Sequence, residues 1–419
     1  MAGEYTTITD ELKNAYPSGS FPDAVNKEAK YRKSLNRVNL KMSEGIATFP
    51  LALESSWNVS MIADNTAFPT TDDPTRPQGQ VNPELFVGDF AIGVKTKYAA
   101  SSQVGSFNAG GILADRVERT VEDLAKYLNM VYAGSVNGRL AIVEADGASA
   151  TFTCSKPLGV ELLREGMRID EFDALTGGTV QALDNVQISE IDPSTNTVTY
   201  DATDTTLTAG YHIFVADSYG RTPQTLPMIV DDGTLAGTIF TLSRTTYPGL
   251  KCQVNKAGGV LRDLTEQLIL DSVDEGRRRS GKKITRALSN TGQARKYVEF
   301  VAPERRYAGN SSGKPSYVLG YEDEGLKIVA PGVNCHLETD FDISPRVMYF
   351  LAWDTFGLYE AMPLDWLDED SMLNLLPNSS ADGHKAGFVA YVGCVENQIN
   401  TMPKAQVLLG DLKDPICGD

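Results

Sequence analysis

Gly111-Ile-Leu-Ala-Asp-Arg-Val-Glu-Arg-Thr-Val-Glu-Asp-Leu-Ala-Lys-Tyr-Leu-Asn-Met-Val-Tyr-Ala133 is the stretch around which the chain is organised. Apolar residues recur at Leu113, Val117, Val121, Leu124, Leu128 and Val131. Those gaps keep one stripe on one face of a 3.6-residue period and predict a long amphipathic helix. The opposite face is charged. Asp115 with Arg119, and Glu122 with Lys126, stand four apart with the acid first, the favourable order. Gly110 and Gly111 precede the helix, and Gly134 is placed to end it as a left-handed cap. Such a helix spans roughly 35 Å. One stripe can be buried, so much of the remainder must face solvent or a neighbouring molecule.

Upstream, residues 1–45 read as an arm. Asp23 to Met42 is helix-like and basic, with Lys27, Lys30, Arg32, Lys33, Arg37 and Lys41. It is either a solvated helix or an arm laid across an acidic neighbour. Residues 46–98 read as a long two-stranded excursion. Ile46 to Leu53 and Trp57 to Ile62 are strand-like, Leu85 to Val94 is the returning strand, and Asn65 to Pro83 has a loop composition. An isolated hairpin is marginal in water and needs a partner surface.

Downstream, Arg139 to Tyr219 becomes a string of short strands: Gly166 to Asp173, Val186 to Ile191, Thr197 to Tyr200 and Tyr211 to Val215. Asp192-Pro-Ser-Thr-Asn196 is a hairpin loop between two of them. This predicts a small all-β module inserted into the main fold. Gly258-Gly259 opens a second helix to about Arg278, with Leu261, Leu264, Leu268 and Ile269 inward. It ends in Arg277-Arg-Arg-Ser-Gly-Lys-Lys283, whose cations either complement the helix dipole or form an intermolecular ion-pair site. Strands are expected at Ile284 to Leu288, Gly325 to Val329, Val347 to Trp353, Leu358 to Glu360, Val389 to Cys394 and Ala405 to Leu409, with a helix from Thr291 to about Val301. The class is α+β.

Composition narrows the function. The chain has 419 residues and a formal charge of −17, from 55 acidic and 38 basic side chains. That argues against a basic face gripping nucleic acid along its whole surface. The start, Met1-Ala-Gly-Glu-Tyr, lacks the regions of a signal peptide, and Val347 to Trp353 is too short an apolar run to span a bilayer. A soluble protein made in a cytoplasm is expected, with no membrane partner. Cys154, Cys252, Cys335, Cys394 and Cys417 are widely spaced and read as reduced, mostly core thiols.

Catalytic signatures fail on inspection. Gly309-Asn-Ser-Ser-Gly-Lys-Pro-Ser316 has three residues between its glycines where a phosphate loop has four, and Pro follows the Lys where Ser or Thr should bind magnesium. His212, His336 and His384 are isolated, and neighbours Cys335 and His336 on a strand would point to opposite faces. Asp365, Asp368, Glu369 and Asp370 lack the Gly of a calcium loop. No nucleophile, base and orienter assemble, so no enzyme, catalytic residue, cofactor or metal is expected.

The order of parts carries a resemblance: basic arm, long hairpin, long helix, β insert, two helices, late strands. Its most telling stretch is Gln293-Ala-Arg-Lys-Tyr-Val298 through Ala302-Pro-Glu-Arg-Arg-Tyr307. Gly325-Leu-Lys-Ile-Val329 and Pro345-Arg-Val-Met-Tyr-Phe-Leu351 come next. Leu358-Tyr-Glu360, Asp365-Trp-Leu-Asp-Glu-Asp370 and Pro403-Lys-Ala-Gln-Val-Leu-Leu409 complete it. Tyr247-Pro-Gly-Leu250 ahead of Gly258-Gly259 also fits. Together they resemble the major capsid protein of tailed bacteriophages, the Hong Kong 97-like fold.

The resemblance implies residues 1–45 as N-terminal arm, 46–98 as extended loop and 99–138 as spine helix with peripheral domain. The inserted β domain would be 139–225, further peripheral domain 226–284, axial domain 285–384, and the peripheral return with the C-terminus 385–419. It implies hexamers and pentamers of one chain forming an icosahedral head around double-stranded DNA, held without sequence-specific binding. The location is the virion, after assembly in the host cytoplasm. Partners are a separate scaffolding protein, since the arm is too short for a cleaved scaffolding segment, and a portal at one vertex; a decoration protein is a further candidate. Some relatives cross-link a loop lysine to a neighbour's asparagine. Here Ile46 to Val94 has no lysine and Arg76 as its one cation, with Lys95 and Lys97 at the base, so a non-covalent shell is implied. The alternatives are an encapsulin-like compartment, against which the insert counts, and an unrelated enzyme or sugar-binding β protein.

Overall fold

The computed structural model describes residues 30–53, 61–62, 64, 77–93, 109–147, 150–157, 159–202, 206–305, 326–330, 333–367, 374–377 and 384–414. In it the long helix runs Ala109–Ala133. Val117, Val121, Leu124, Leu128 and Val131 are all buried, as their spacing requires. Glu122 and Lys126 stand 4.0 Å apart on the exposed side. From Leu128 onward the helix is buried all round: Asn129, Met130, Tyr132 and Ala133 are enclosed too. The single-stripe expectation therefore holds from Arg116 to Tyr127 and not beyond. The last two turns lie between separate hydrophobic clusters, with Met130 in one and Val131 and Tyr132 in another.

Gly134 follows the helix, but not as a left-handed cap, for it is absent from the positive-φ glycines of the described chain. Its requirement is space. A Cβ there would collide with the carbonyl oxygen of Asp342 and come within 3.0 Å of Leu162 Cδ2. Close backbone approach, not handedness, demands glycine here.

The helix packs on a five-stranded sheet whose hub is the 17-residue strand His384–Asn400. One side of the hub pairs with Glu84–Gly93 in antiparallel register, Leu85 opposite Val395 and Val87 opposite Gly393. The other side pairs with Phe356–Trp366 and Asn374–Pro377. Asn36–Arg37 adds a parallel edge to Phe356–Trp366. The expected hairpin is thereby corrected. Ile46–Pro50 does not pair with Glu84–Gly93; its partner is Gln78–Val81, and Met42–Ser43 completes a three-stranded sheet. Alternation predicted both strands but could not choose their partners. Of the strand-like Trp57 to Ile62, residues 57–60 lie outside the described residues, and 61–62 are not strand.

The basic helix expected over Asp23 to Met42 is, in the described part, a short helix Lys30–Ser34. It stops because tertiary bonds take over: Trp353 Nε1 donates to Ser34 O at 3.0 Å and Val38 N to Leu358 O at 2.9 Å.

Residues 141–215 form a closed six-stranded barrel: Thr197–Asp201, Thr151–Cys154, Ala141–Asp146, His212–Val215, Arg168–Phe172, Val186–Asp192, in that order round the wall. Closure removes the free edges of so many short strands. Its core holds Leu140, Phe152, Ile169, Val198 and Ile213, with Met130 entering from the long helix. The strands at 141–146 and 151–154 are additions to those expected from sequence.

A second, six-stranded mixed sheet runs Gln253–Asn255, Val407–Leu409, Met348–Leu351, Arg286–Ser289, Val333–Thr339, Leu326–Ala330. Met348–Leu351 is buried throughout, which explains its unbroken apolar run. Helices Glu266–Ser280 and Thr291–Arg305 accompany this sheet. The first starts later than Gly258-Gly259 suggested. Those glycines, at φ +66° and +86°, form a turn, and the Ala257 and Gly259 N–H groups donate to Asp411 Oδ2 at 2.8 and 2.9 Å. Thr265 is the true N-cap and accepts from Leu268 N. Of the four expected inward residues, Ile269 is buried and Leu268 half-buried on the helix, while Leu261, half-buried, and Leu264, buried, precede it.

Candidate assembly surface

The five-stranded sheet has two unlike faces. Inward, Phe86 meets Tyr127 and Tyr132 of the long helix with ring centroids 6.1 Å apart in each pair. Gly88 lies against Thr120 and Leu124, where a Cβ would be 3.0 Å from Thr120 Cγ2. Ala390, Val392 and Cys394 of the hub strand share this core. Strand alternation sends the intervening residues outward. Leu85 is 56% exposed, Val87 44%, Leu367 37% and Tyr391 36%. They gather about Gly393, which is opposite Val87 in register and over which Leu367 lies. Contiguous exposed apolar side chains on a sheet face mark an interaction surface.

A second exposed apolar set, Met42 and Ile46, lies on the three-stranded sheet. That sheet is clipped to the body at its base. Phe49 stacks edge-on with Phe240 at 5.0 Å, and Gln80 N donates to Phe240 O at 3.1 Å. Ala52 N donates to Thr401 O at 2.9 Å and Lys404 Nζ to Leu53 O at 2.8 Å. Phe240 sits on the hairpin Thr238–Ile239/Leu242–Ser243. Buried Arg244 anchors it, donating to Asp231 Oδ2 (3.1 Å), Met228 O (2.7 Å) and Ile229 O (3.0 Å).

Two cations of the arm have another fate than either expected reading. Arg32 is buried and donates to both oxygens of buried Glu396, at 2.8 Å from Nε and 2.5 Å from Nη2, while Arg37 Nε reaches Glu360 at 2.7 Å. Both therefore pin the arm to its own sheet. Lys33 and Lys41 remain exposed, and Lys27 lies outside the described residues. In the basic run, Lys282 pairs with Asp354 at 2.7 Å and Arg279 donates to Gln253, so part of that charge is used within the chain.

Asn129 is a linking residue that the sequence did not flag. It is a buried amide near the C-terminal end of the long helix. Its Oδ1 accepts from Tyr31 N at 3.0 Å, and its Nδ2 donates to Asp340 Oδ2 at 3.0 Å and Asp342 Oδ2 at 2.7 Å. Only the break it makes in an otherwise apolar turn could have signalled it.

The residues inspected for chemistry do not converge. Cys154, Cys252, Cys335 and Cys394 are buried free thiols in different strands or loops, and Cys417 lies outside the described residues. His336 is exposed and Cys335 buried, on opposite faces as expected. His212 lies on a barrel wall, where burial and then Arg139 lower its pKa. Gly309–Ser316 and Asp368 to Asp370 lie outside the described residues. Among the described residues no group of three His, Cys, Asp or Glu is placed to hold a metal, and no helix is long and apolar enough to cross a membrane.

No family model matches the chain, and no curated protein matches it in sequence. Among solved structures, its fold is similar to that of a chain in the cyanophage A-1(L) capsid asymmetric unit. The TM-score is 0.52 at 10% identity, over 92% of this chain and 93% of that one. Looser likenesses include the capsid of a native GTA particle (TM-score 0.44, 11% identity, 91% and 90% covered) and a virus-like particle from Pyrococcus furiosus (0.37, 9%, 94% and 96%).

Proposed function

We propose that this chain is the major subunit of a phage head, a Hong Kong 97-like shell protein that closes into hexamers and pentamers around double-stranded DNA. The observation that carries this reading is the sheet built round His384–Asn400. Its inner face packs on the long helix through Phe86 and Gly88, yet its outer face leaves Leu85, Val87, Leu367 and Tyr391 uncovered. A monomer gains nothing from that arrangement; a tile does. The end-to-end likeness in fold to a cyanophage capsid chain supports the same reading by analogy.

A heterologous contact that closes after five or six copies gives a ring, and rings tile a closed surface. The apolar faces of the three-stranded sheet and of the five-stranded sheet differ, as a heterologous contact requires. Each contact can be modest, because a subunit held on several sides meets its next partner at high effective concentration. The charge of −17 suits a DNA container. Repulsion, screened beyond about 10 Å at ordinary salt, keeps the packed polymer off the wall. In this reading 139–225, which contains the barrel, is the inserted domain, 285–384 the axial domain, and the flanking segments the peripheral domain. A separate scaffolding protein and a portal complete assembly in the host cytoplasm, and the shell has no catalytic duty.

Electron microscopy of the purified protein tests this. Closed icosahedral particles are expected from the wild type, and Leu85→Asp with Val87→Asp should leave folded subunits that do not assemble. A wild-type chain that stays monomeric at high concentration with a scaffolding protein supplied would overturn the reading, and particles filled with a protein cargo would redirect it to an encapsulin-like compartment. Denatured particles should return single chains; a covalent ladder would contradict the non-covalent shell.

A further inference from the structure

A cleft of about 640 Å³ separates the barrel from the body, walled by Glu161, Arg164, Ile191 and Asn196 among others on the barrel side and by Arg346 and Asp414 on the other. It lies where the barrel is seated. Leu162 abuts Gly134, and Arg164 Nη2 reaches Asp342 Oδ1 at 3.5 Å. We propose that this seat is a pH-operated joint: with a proton on Glu161 the barrel is held closed on the body, and its loss sets the Glu161 carboxylate against Asp414 and Asp342 across the cleft and loosens it.

The geometry assembles the parts. Glu161 Oε2 is buried and has no hydrogen-bond partner among the described residues, so ionisation there is not compensated by a donor. Asp414 faces it from the body, with Asp342 on the same side. The cations are Arg164, which also donates to the Glu161 carbonyl oxygen, and Lys156 and Arg346 on the cleft walls, where Glu165 adds another acid. Asp342 has its own acidic neighbour in Asp340, and the two share the single amide of Asn129. Burial, then Asp414, push the Glu161 carboxyl up to about 8 from 4.5, with Arg164 opposing. Burial, the larger effect, and Asp340 raise Asp342 to about 6 from 3.8, against the Asn129 hydrogen bond and Arg164.

The sign follows from linkage. An acid that ionises more readily once the seat opens favours the closed form fully below its ordinary value, and that advantage is lost as pH rises through the closed-state value. The joint therefore weakens between about pH 4 and pH 8 and levels off above.

Amide hydrogen exchange on the full-length chain, corrected for intrinsic rates, reads this directly. Protection at residues 159–164 should fall roughly tenfold or more between pH 5.5 and 8.5, since each unit of pKa difference is a factor of ten. Protection at Val198 and Ile213 inside the barrel should not change. Glu161→Gln should flatten the profile, and Asp414→Asn should move its midpoint to lower pH, a shift that a merely structural role would not produce. A flat wild-type profile, an unchanged slope in Glu161→Gln, or an unmoved midpoint in Asp414→Asn would each overturn the joint.

Discussion

Phe240 stands edge-on to Phe49, ring centroids 5.0 Å apart and planes at 85°, on a backbone held at φ +51°. Thr241 beside it is at φ +65°. Two consecutive non-glycine residues in the left-handed region form a tight hairpin turn of the primed kind, and for a β-branched residue that conformation is strained. The buried Phe240 ring holds the turn in place, while Thr241 is exposed. Phe240→Ala should cost about 3–5 kcal/mol and release the base of Ile46–Pro50. Thr241→Gly should instead stabilise by about 1 kcal/mol by relieving strain. Chemical denaturation of both variants checks the opposite signs.

Arg32 and Glu396 are 364 residues apart in sequence and form a two-point ion pair with side-chain exposures of 2% and 0%. Arg32→Met leaves a buried carboxylate without its partner and should destabilise by about 3–5 kcal/mol. Adding Glu396→Leu should recover most of that loss, because desolvating the pair offsets much of its attraction. A double-mutant cycle in urea measures the coupling; independent, additive losses would contradict the pairing.

Gly134→Ala places a methyl group against the Asp342 carbonyl, a backbone atom that cannot swing aside. A loss of more than about 3 kcal/mol, or insoluble protein, is expected, well beyond the roughly 1 kcal/mol scale of a helix-end propensity change. Since glycine here serves space and not handedness, Gly134→Asn should be no milder than Gly134→Ala. At a true left-handed cap asparagine would be tolerated.

Burial pushes the thiols of Cys154, Cys252 and Cys335 up to about 12, and that of Cys394 well above its ordinary value. Because the thiolate is the reactive form, these four should resist alkylation at pH 8 in the folded chain and react together on unfolding. Mass spectrometry after timed labelling reads each site. Rapid labelling of any one of the four in folded protein would contradict its burial.

Local periodicity was enough for the long helix, for most barrel strands and for Met348–Leu351, since the 3.6 and 2.0 repeats record which face is hidden. The absence of catalytic motifs and the weight of negative charge were also plain in the sequence, as was the order of parts that resembles a phage shell protein. Tertiary structure alone decided which strand pairs with which: the partner of Ile46–Pro50 is Gln78–Val81, and Glu84–Gly93 belongs to His384–Asn400. It alone made Arg32 a buried anchor, Gly134 a spacer and Leu85 with Val87 an uncovered face. Pairing, burial and charge compensation depend on residues hundreds of positions away, and a pattern read along one segment carries no information about what folds back to meet it.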